Sequence, residues 1–228
     1  EGKRIATGMN QGLTPTVYVN AFTDYGVHEN DEVNILKTGR EWYGEKFSEQ
    51  TAYDYTFSFP NIMDDYKVSL LTNVAAHSTI ESRFDYYYGN ENLLTAPVSK
   101  IIIGTTVYAW TTTPDTVGFY PSMGDDITIR VEYDKPVSTS MGWMNYISLN
   151  ARRKLIFTGP YMSFRDHLSY GPGEVAGYKI SGAPESLVVW DVTDPLNIFR
   201  MEGAFAGGDY SFTAPADEIM EYVAFDGS

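Results

Sequence analysis

Apolar and polar residues take turns along most of this chain. Tyr53, Tyr55, Phe57 and Phe59 alternate with Asp54, Thr56 and Ser58 until Pro60-Asn61 ends the run. Val68, Leu70, Thr72 and Val74 share a parity in the next segment. Ile127, Ile129, Val131 and Tyr133 alternate with Thr128, Arg130, Glu132 and Asp134. Ile147, Leu149 and Ala151 repeat the pattern, as do Ala176, Tyr178 and Ile180. Successive side chains of a strand point to opposite faces, so each segment predicts a strand with one buried and one wetted face. Residues 17–21, 83–88, 101–110 and 186–192 read as more central strands. Turn signals separate the runs: Gly89-Asn90, Thr113-Pro114-Asp115, Met123-Gly124-Asp125-Asp126 and Gly171-Pro172-Gly173. About a dozen strands follow from this template.

Two half-buried sheets hide their apolar sides by stacking face to face. No long segment carries a helical stripe. Residues 216–222, after Pro215, suit a short helix because Asp217 and Glu218 favour a helix start. The alternation of Tyr222 and Ala224 with Val223 and Phe225 suits a strand equally well. The expected fold is all-β, an antiparallel β-sandwich of jelly-roll or galactose-binding-like type with little helix. Gly2, Gly8, Asn10, Gln11 and Gly12 give the first dozen residues the character of a loose arm. The expected division is therefore an arm or stub of an upstream domain over 1–27 and one sandwich over 28–228.

Charge narrows the partners. Sixteen basic residues stand against 30 acidic ones, a net charge of −14. Such a surface repels phosphate, which argues against nucleic acid and anionic lipid. No apolar run approaches the ~20 residues of a membrane helix. The chain has no cysteine, which removes disulfides, thiolate metal sites and any cysteine nucleophile. Opening on Glu1 rather than Met and closing on Asp226-Gly227-Ser228, it reads as a piece of something longer.

The candidate chemistry is sparse. His28-Glu29 begins like a zinc-protease motif, but position 32 is Glu where a second His is required. His28, His77 and His167 are expected at solvated turns rather than on a metal. No Gly-x-Ser-x-Gly elbow occurs. Asp64-Asp65 and Asp125-Asp126 fall at turns, and adjacent residues cannot face each other across a glycosidase cleft. A structural calcium would draw on such clustered oxygens, but no EF-hand pattern is present and no cofactor is expected. Gly171-Pro172-Gly173-Glu174 precedes a strand and lacks a Lys-Ser/Thr ending, so it reads as a connection rather than a phosphate loop. Arg152-Arg153-Lys154 splits between two faces, one of which should be core, predicting a bulge or an internal ion pair. Arg40 with Glu41 and Glu45 is a second candidate pair. Trp42, Trp110, Trp143 and Trp190 are expected as core or inter-domain anchors. For binding, Tyr86-Tyr87-Tyr88 and Trp42-Tyr43 stand out, because an aromatic face packs on a sugar's C–H face. Tyr86 and Tyr88 face one way and Tyr87 the other, so core with one exposed ring is the plainer reading of the triplet. Trp42, Tyr43, Tyr86 and Tyr88 form the candidate binding surface, one that would suit a carbohydrate-binding or adhesin-like module.

One longer series of words remains. An apolar strand runs into an acidic turn in Leu187-Val188-Val189-Trp190-Asp191-Val192-Thr193-Asp194-Pro195. Upstream stand Tyr146-Ile147-Ser148-Leu149-Asn150-Ala151-Arg152-Arg153-Lys154-Leu155 and Gly159-Pro160-Tyr161-Met162-Ser163-Phe164-Arg165. Before them come Val27-His28-Glu29-Asn30-Asp31-Glu32-Val33-Asn34 and Gly39-Arg40-Glu41-Trp42-Tyr43-Gly44-Glu45. In that order the series resembles the non-catalytic region of PorU-type sortases of the type IX secretion system, gingipain-like cysteine peptidases of family C25. Tyr222-Val223-Ala224-Phe225-Asp226-Gly227 resembles the approach to their caspase-like catalytic domain. The resemblance implies a whole protein that cleaves C-terminal sorting domains and joins cargo to lipopolysaccharide. It implies a location on the extracellular face of the outer membrane. Implied partners are the downstream catalytic domain, an outer-membrane β-barrel protein and secreted cargo. No catalytic, cofactor or metal residue is expected within the chain itself.

Overall fold

The computed structural model describes residues 5–8, 12–35, 37, 39–102, 110–111, 117–122 and 124–228, with backbone alone at 110–111. Every regular element among them is a strand. In chain order these are β1 (Ala6–Gly8), β2 (Val17–Val19), β3 (Ala21–Glu29), β4 (Lys46–Phe47), β5 (Ala52–Ser58), β6 (Val68–His77), β7 (Ser82–Tyr88), β8 (Glu91–Val98), β9 (Trp110–Thr111) and β10 (Val117–Phe119). They continue as β11 (Asp126–Asp134), β12 (Met141–Lys154), β13 (Tyr161–Arg165), β14 (Val175–Ser181), β15 (Leu187–Asp191), β16 (Phe199–Met201), β17 (Ala204–Ala206), β18 (Asp209–Pro215) and β19 (Glu221–Asp226). The all-β expectation holds. Of the helix and strand alternatives near the C-terminus, the strand forms, as β19. The expected strand at 101–110 and the turn at Thr113-Pro114-Asp115 lie largely outside the described residues, as does Met123.

The chain forms two compact units rather than an arm and one sandwich. The first takes Glu1–Asp24, Pro60–Met63 and Arg152–Ser228; the second takes Tyr25–Phe59 and Asp64–Ala151. Within the stretch expected as an arm or stub, described residues form strands. β1 pairs in parallel with β16 (Ala6 opposite Phe199), and β2 pairs in parallel with β14 (Val17 opposite Ala176). Three-residue strands satisfy their backbone groups on a neighbour even though they are too short to show alternation.

In the first unit, sheets of order β1-β16-β15-β19-β13 and β17-β18-β14-β2 share one core. Met162, Phe164, Leu187, Val189, Tyr222 and Ala224 meet Val19, Ala176, Tyr178, Ile180, Phe212 and Ala214 there. Aromatic rings dominate it: Tyr178 stacks on Phe212 at 4.7 Å, Phe164 on Tyr222 at 5.2 Å, and Phe212 meets Tyr222 edge-on at 5.2 Å.

The basic triplet also lies in this unit and forms internal ion pairs rather than a bulge. Arg153 keeps the core parity of Ile147, Leu149 and Ala151 and is buried. Its guanidinium donates to Asp24 at 2.5 Å, to the Pro60 carbonyl at 2.6 Å and to Thr158, and lies 5.1 Å from the Phe22 ring centroid. Arg152, of the opposite parity, pairs with the buried Asp166 and donates to the Ala21 carbonyl at 3.2 Å. A cation at a core position is tolerable only when its donors are filled in this way.

In the second unit, the sheet β5-β11-β7-β8 presents Tyr55, Phe57, Phe84, Tyr86, Ile129 and Val131 as buried residues. The sheet β10-β6-β12-β3, with β4 and β9 paired at its side, contributes Leu70, Val74, Met144, Ile147 and Leu149. The pairing of β12 with β6 slips between Met144 and Tyr146, which inserts Asn145 and re-aims the strand. At Gly142 a Cβ would come within 2.6 Å of Phe84 Cζ, so glycine admits that ring against the strand. A smaller cluster of Tyr43, Ala75 and Trp143 lies apart, with Ile35 and Met141 packed against it.

So many buried phenols make stability depend on alkaline pH. Burial pushes Tyr178 up to about 12, and it pushes Tyr43, Tyr55, Tyr86 and Tyr222 still higher. The fold thus favours the neutral phenol, and its contribution is complete below the unfolded value of about 10. Above that the unfolded chain releases protons that the native one retains, so stability falls as pH rises. Each such tyrosine should remove about 1.4 kcal/mol per pH unit until its own folded value is reached. Urea midpoints measured between about pH 9 and 11 should drop steeply, with phenolate absorbance appearing only on unfolding. Free titration of these phenols near 10 without loss of structure would contradict it.

Candidate functional site

Among the described residues no three His, Asp or Glu side chains gather as a metal would require. His28 does not sit at a solvated turn. It lies in β3, 4.8 Å from the Tyr55 ring, with Nε2 2.8 Å from Glu45 Oε1. Glu45 also accepts from Asn30 Nδ2 at 2.8 Å and from the Tyr55 hydroxyl. The carboxylate is a hub joining β3, β5 and the segment before β4. A His–carboxylate pair can move a proton, but the adjacent phenol has no nucleophilic character at neutral pH. Burial first, and Glu45 second, hold Tyr55 protonated. Asp64-Asp65 and Asp125-Asp126 are exposed at turns or strand starts, as expected.

The four residues read as a binding surface part ways. Trp42 is exposed at 42%, whereas Tyr43 is at 1%. Reciprocal 2.9 Å backbone bonds between Tyr43 and Val33 hold that segment, and the Tyr43 ring packs with Ala75 and Trp143. Tyr86 has no exposure at all, and its hydroxyl lies 2.8 Å from Thr72 Oγ1. Tyr88 is half-buried, with its ring 5.0 Å from Phe119 and its hydroxyl bonded to Ser122. Tyr43 and Tyr86 are therefore corrected from surface to interior. Alternation placed Tyr86 and Tyr88 on one face but could not say that this face is the core. Of the four, only Trp42 offers an open ring.

A better surface lies on the outer side of the five-stranded sheet of the first unit, where sequence reasoning saw only a strand exit. Val188, Trp190, Val223 and Phe225 have the parity opposite to the core residues Leu187, Val189, Tyr222 and Ala224. The ladder puts Tyr161 beside Phe225, Phe225 beside Val188, and Val223 beside Trp190. Trp190 meets Phe225 edge-on at 4.8 Å. Four of these side chains remain half-buried, and Tyr161 is 69% exposed. At one end, Arg165 donates to Glu221 at 2.9 Å. A signal was present: 187–191 and 221–226 carry large apolar residues on both parities, more than a half-buried strand needs. Just past Trp190 the chain leaves the sheet as expected, with Asp191 accepting from the Thr193 amide at 3.0 Å and Asp194 from the Leu196 amide at 2.9 Å.

The crystal structure of dimeric latent PorU from Porphyromonas gingivalis superposes on 98% of this chain with a TM-score of 0.86, at 18% sequence identity. This chain has the fold of a PorU segment. It spans 22% of the length of that PorU chain. The fold implied by the ordered sequence words and the fold of that segment agree. A carbohydrate-binding module CBM36 in complex with calcium and xylotriose aligns over 55% of this chain and 98% of its own, at 12% identity and a TM-score of 0.34. The CBM36-1 domain of a multidomain xylanase from the hindgut metagenome of Trinervitermes trinervoides aligns over 55% and 96%, at 10% identity and 0.35. Likenesses of that size carry no functional argument. No protein-family model and no curated protein matches the sequence.

Proposed function

We propose that this chain is a non-catalytic scaffold and docking region of a cell-surface, gingipain-like type IX secretion sortase. The observation that carries the reading is the PorU-like fold over 98% of the chain. The absence of cysteine from the sequence supports it, since a Cys–His peptidase centre has no nucleophile here. In the whole protein, residues outside this chain would cleave C-terminal sorting domains and pass cargo to lipopolysaccharide on the outer-membrane surface. An outer-membrane β-barrel protein and the secreted cargo would be its wider partners.

The occupant we assign to the Trp190–Phe225 face is the catalytic domain of the same polypeptide. A region amounting to about a fifth of a PorU-like chain must present a surface to the remainder, and at −14 net charge an apolar patch avoids self-repulsion. The purified chain should show no turnover of peptides carrying cargo C-terminal tails. It should also bind the separately produced catalytic domain, and Trp190→Asp should weaken that binding by a factor of at least about ten, as for a central aromatic anchor. Peptide turnover by the chain alone would sink the reading. Because PorU crystallised as a dimer, sedimentation of the chain alone is the control: a dimer lost on Trp190→Asp would give the face to a second copy instead.

A further inference from the structure

The first unit carries a second surface feature, on the outer side of its four-stranded sheet. There β14 turns Gly177 and Lys179 outward, β18 turns Ser211 and Thr213, and β2 turns Tyr18. The core partners Tyr178, Phe212 and Val19 occupy the other parity. The order β17-β18-β14-β2 makes β18 and β14 the floor and the two short edge strands the banks. The result is a cleft of about 480 Å³, within the ~300–1,000 Å³ typical of small-ligand sites.

One bank is apolar and aromatic. A Cβ at Gly177 would meet Pro15 Cγ at 2.8 Å and Tyr18 Cδ1 at 3.4 Å, so this glycine lets both rings settle against the sheet. Tyr18 is nevertheless 80% exposed, more than any other large hydrophobic residue described. The ring starts beside Gly177 of the neighbouring strand and is largely open among the described residues. The opposite bank is formed by Glu202, Gly203 and Ala204, with Ser211 and Thr213 between.

Among the described residues the one cation lining the cleft, Lys179, is already paired with Asp209 at 2.7 Å. With Glu202 across from it and a chain charge of −14, the cleft has no field to hold an anion. An open ring on one side and hydroxyl, carboxylate and ammonium groups on the other match a molecule with apolar C–H faces and a rim of hydroxyls. Three strand spacings of about 4.8 Å separate the banks, more than one sugar ring spans. We propose that this cleft binds a short neutral oligosaccharide, which stacks on Tyr18 and bonds to Ser211, Thr213 and Glu202.

The test is a glycan array probed with the 228-residue chain, followed by calorimetric titration of the best-retained neutral oligosaccharide. Tyr18→Ala should lower affinity by about tenfold or more, the loss of one stacking anchor. Tyr18→Phe should keep most of it. Tyr120→Ala, at another exposed ring in the second unit, should change nothing, and all three variants should melt with the native chain. Retention of no glycan, retention of charged glycans alone, or neutral binding that survives Tyr18→Ala would each overturn the assignment.

Discussion

Replacing Arg153 with Met should lower stability by about 3–5 kcal/mol, the cost of breaking a buried ion pair from one side. Met retains the aliphatic volume against Phe22, so cavity formation is a minor part of the loss. What remains is Asp24 without its 2.5 Å partner and the Pro60 carbonyl without its 2.6 Å donor. Asp24 keeps some access to water, with 24% of its side chain exposed, which favours the lower end of the range. Adding Asp24→Asn should recover part of the loss, because a neutral amide suffers less than a carboxylate from losing the guanidinium. Urea denaturation followed by circular dichroism reads both variants. A single-variant loss below about 0.5 kcal/mol would mean the pair is ornamental.

Tyr86 should behave as a core residue. Tyr86→Ala is expected to cost about 3–5 kcal/mol, the range for emptying an aromatic-sized site. Tyr86→Phe isolates the hydroxyl. Thr72 donates to the Tyr146 carbonyl at 3.1 Å, so in the bond between the two hydroxyls Tyr86 is the donor. Removing it leaves Thr72 with its own donor still satisfied, and the expected loss is about 0.5–1.5 kcal/mol. Trp42→Ala, at an exposed ring, should stay within about 0.5 kcal/mol. Equal, small losses at Tyr86 and Trp42 would return Tyr86 to the surface.

Much of the fold was legible because a strand's period of two is rigid. Once Phe57, Ile129 and Leu149 are recognised as one parity of their strands, their burial follows without knowledge of any neighbour. The division into two units was not legible. The chain passes between the units inside β3, on either side of Pro60–Met63 and inside β12; in β12 alternation runs on unbroken from Ala151 to Arg153 and no linker composition marks the passage. Internal pairing for Arg152 and Arg153 could be anticipated from parity, but their partners lie far along the chain, Asp24 being 129 residues away from Arg153. The candidate surface was the least legible. Parity says that Tyr86 and Tyr87 face apart, not which of the two directions is water. Tyr18, hidden among the valines of a segment read as a central strand, lies on an edge that no local pattern announces.

Because β1 and β2 are the outermost members of their sheets, the opening residues act as a seal. Trimming the chain to residue 28, which the sequence division would have encouraged, strips them away. The amides and carbonyls of β16 and β14 would then stand bare, the kind of margin to which a foreign β-ribbon fastens. Shortened forms would gum together for a reason unrelated to their cores, and useful boundaries must leave Ala6 and Val17 in place.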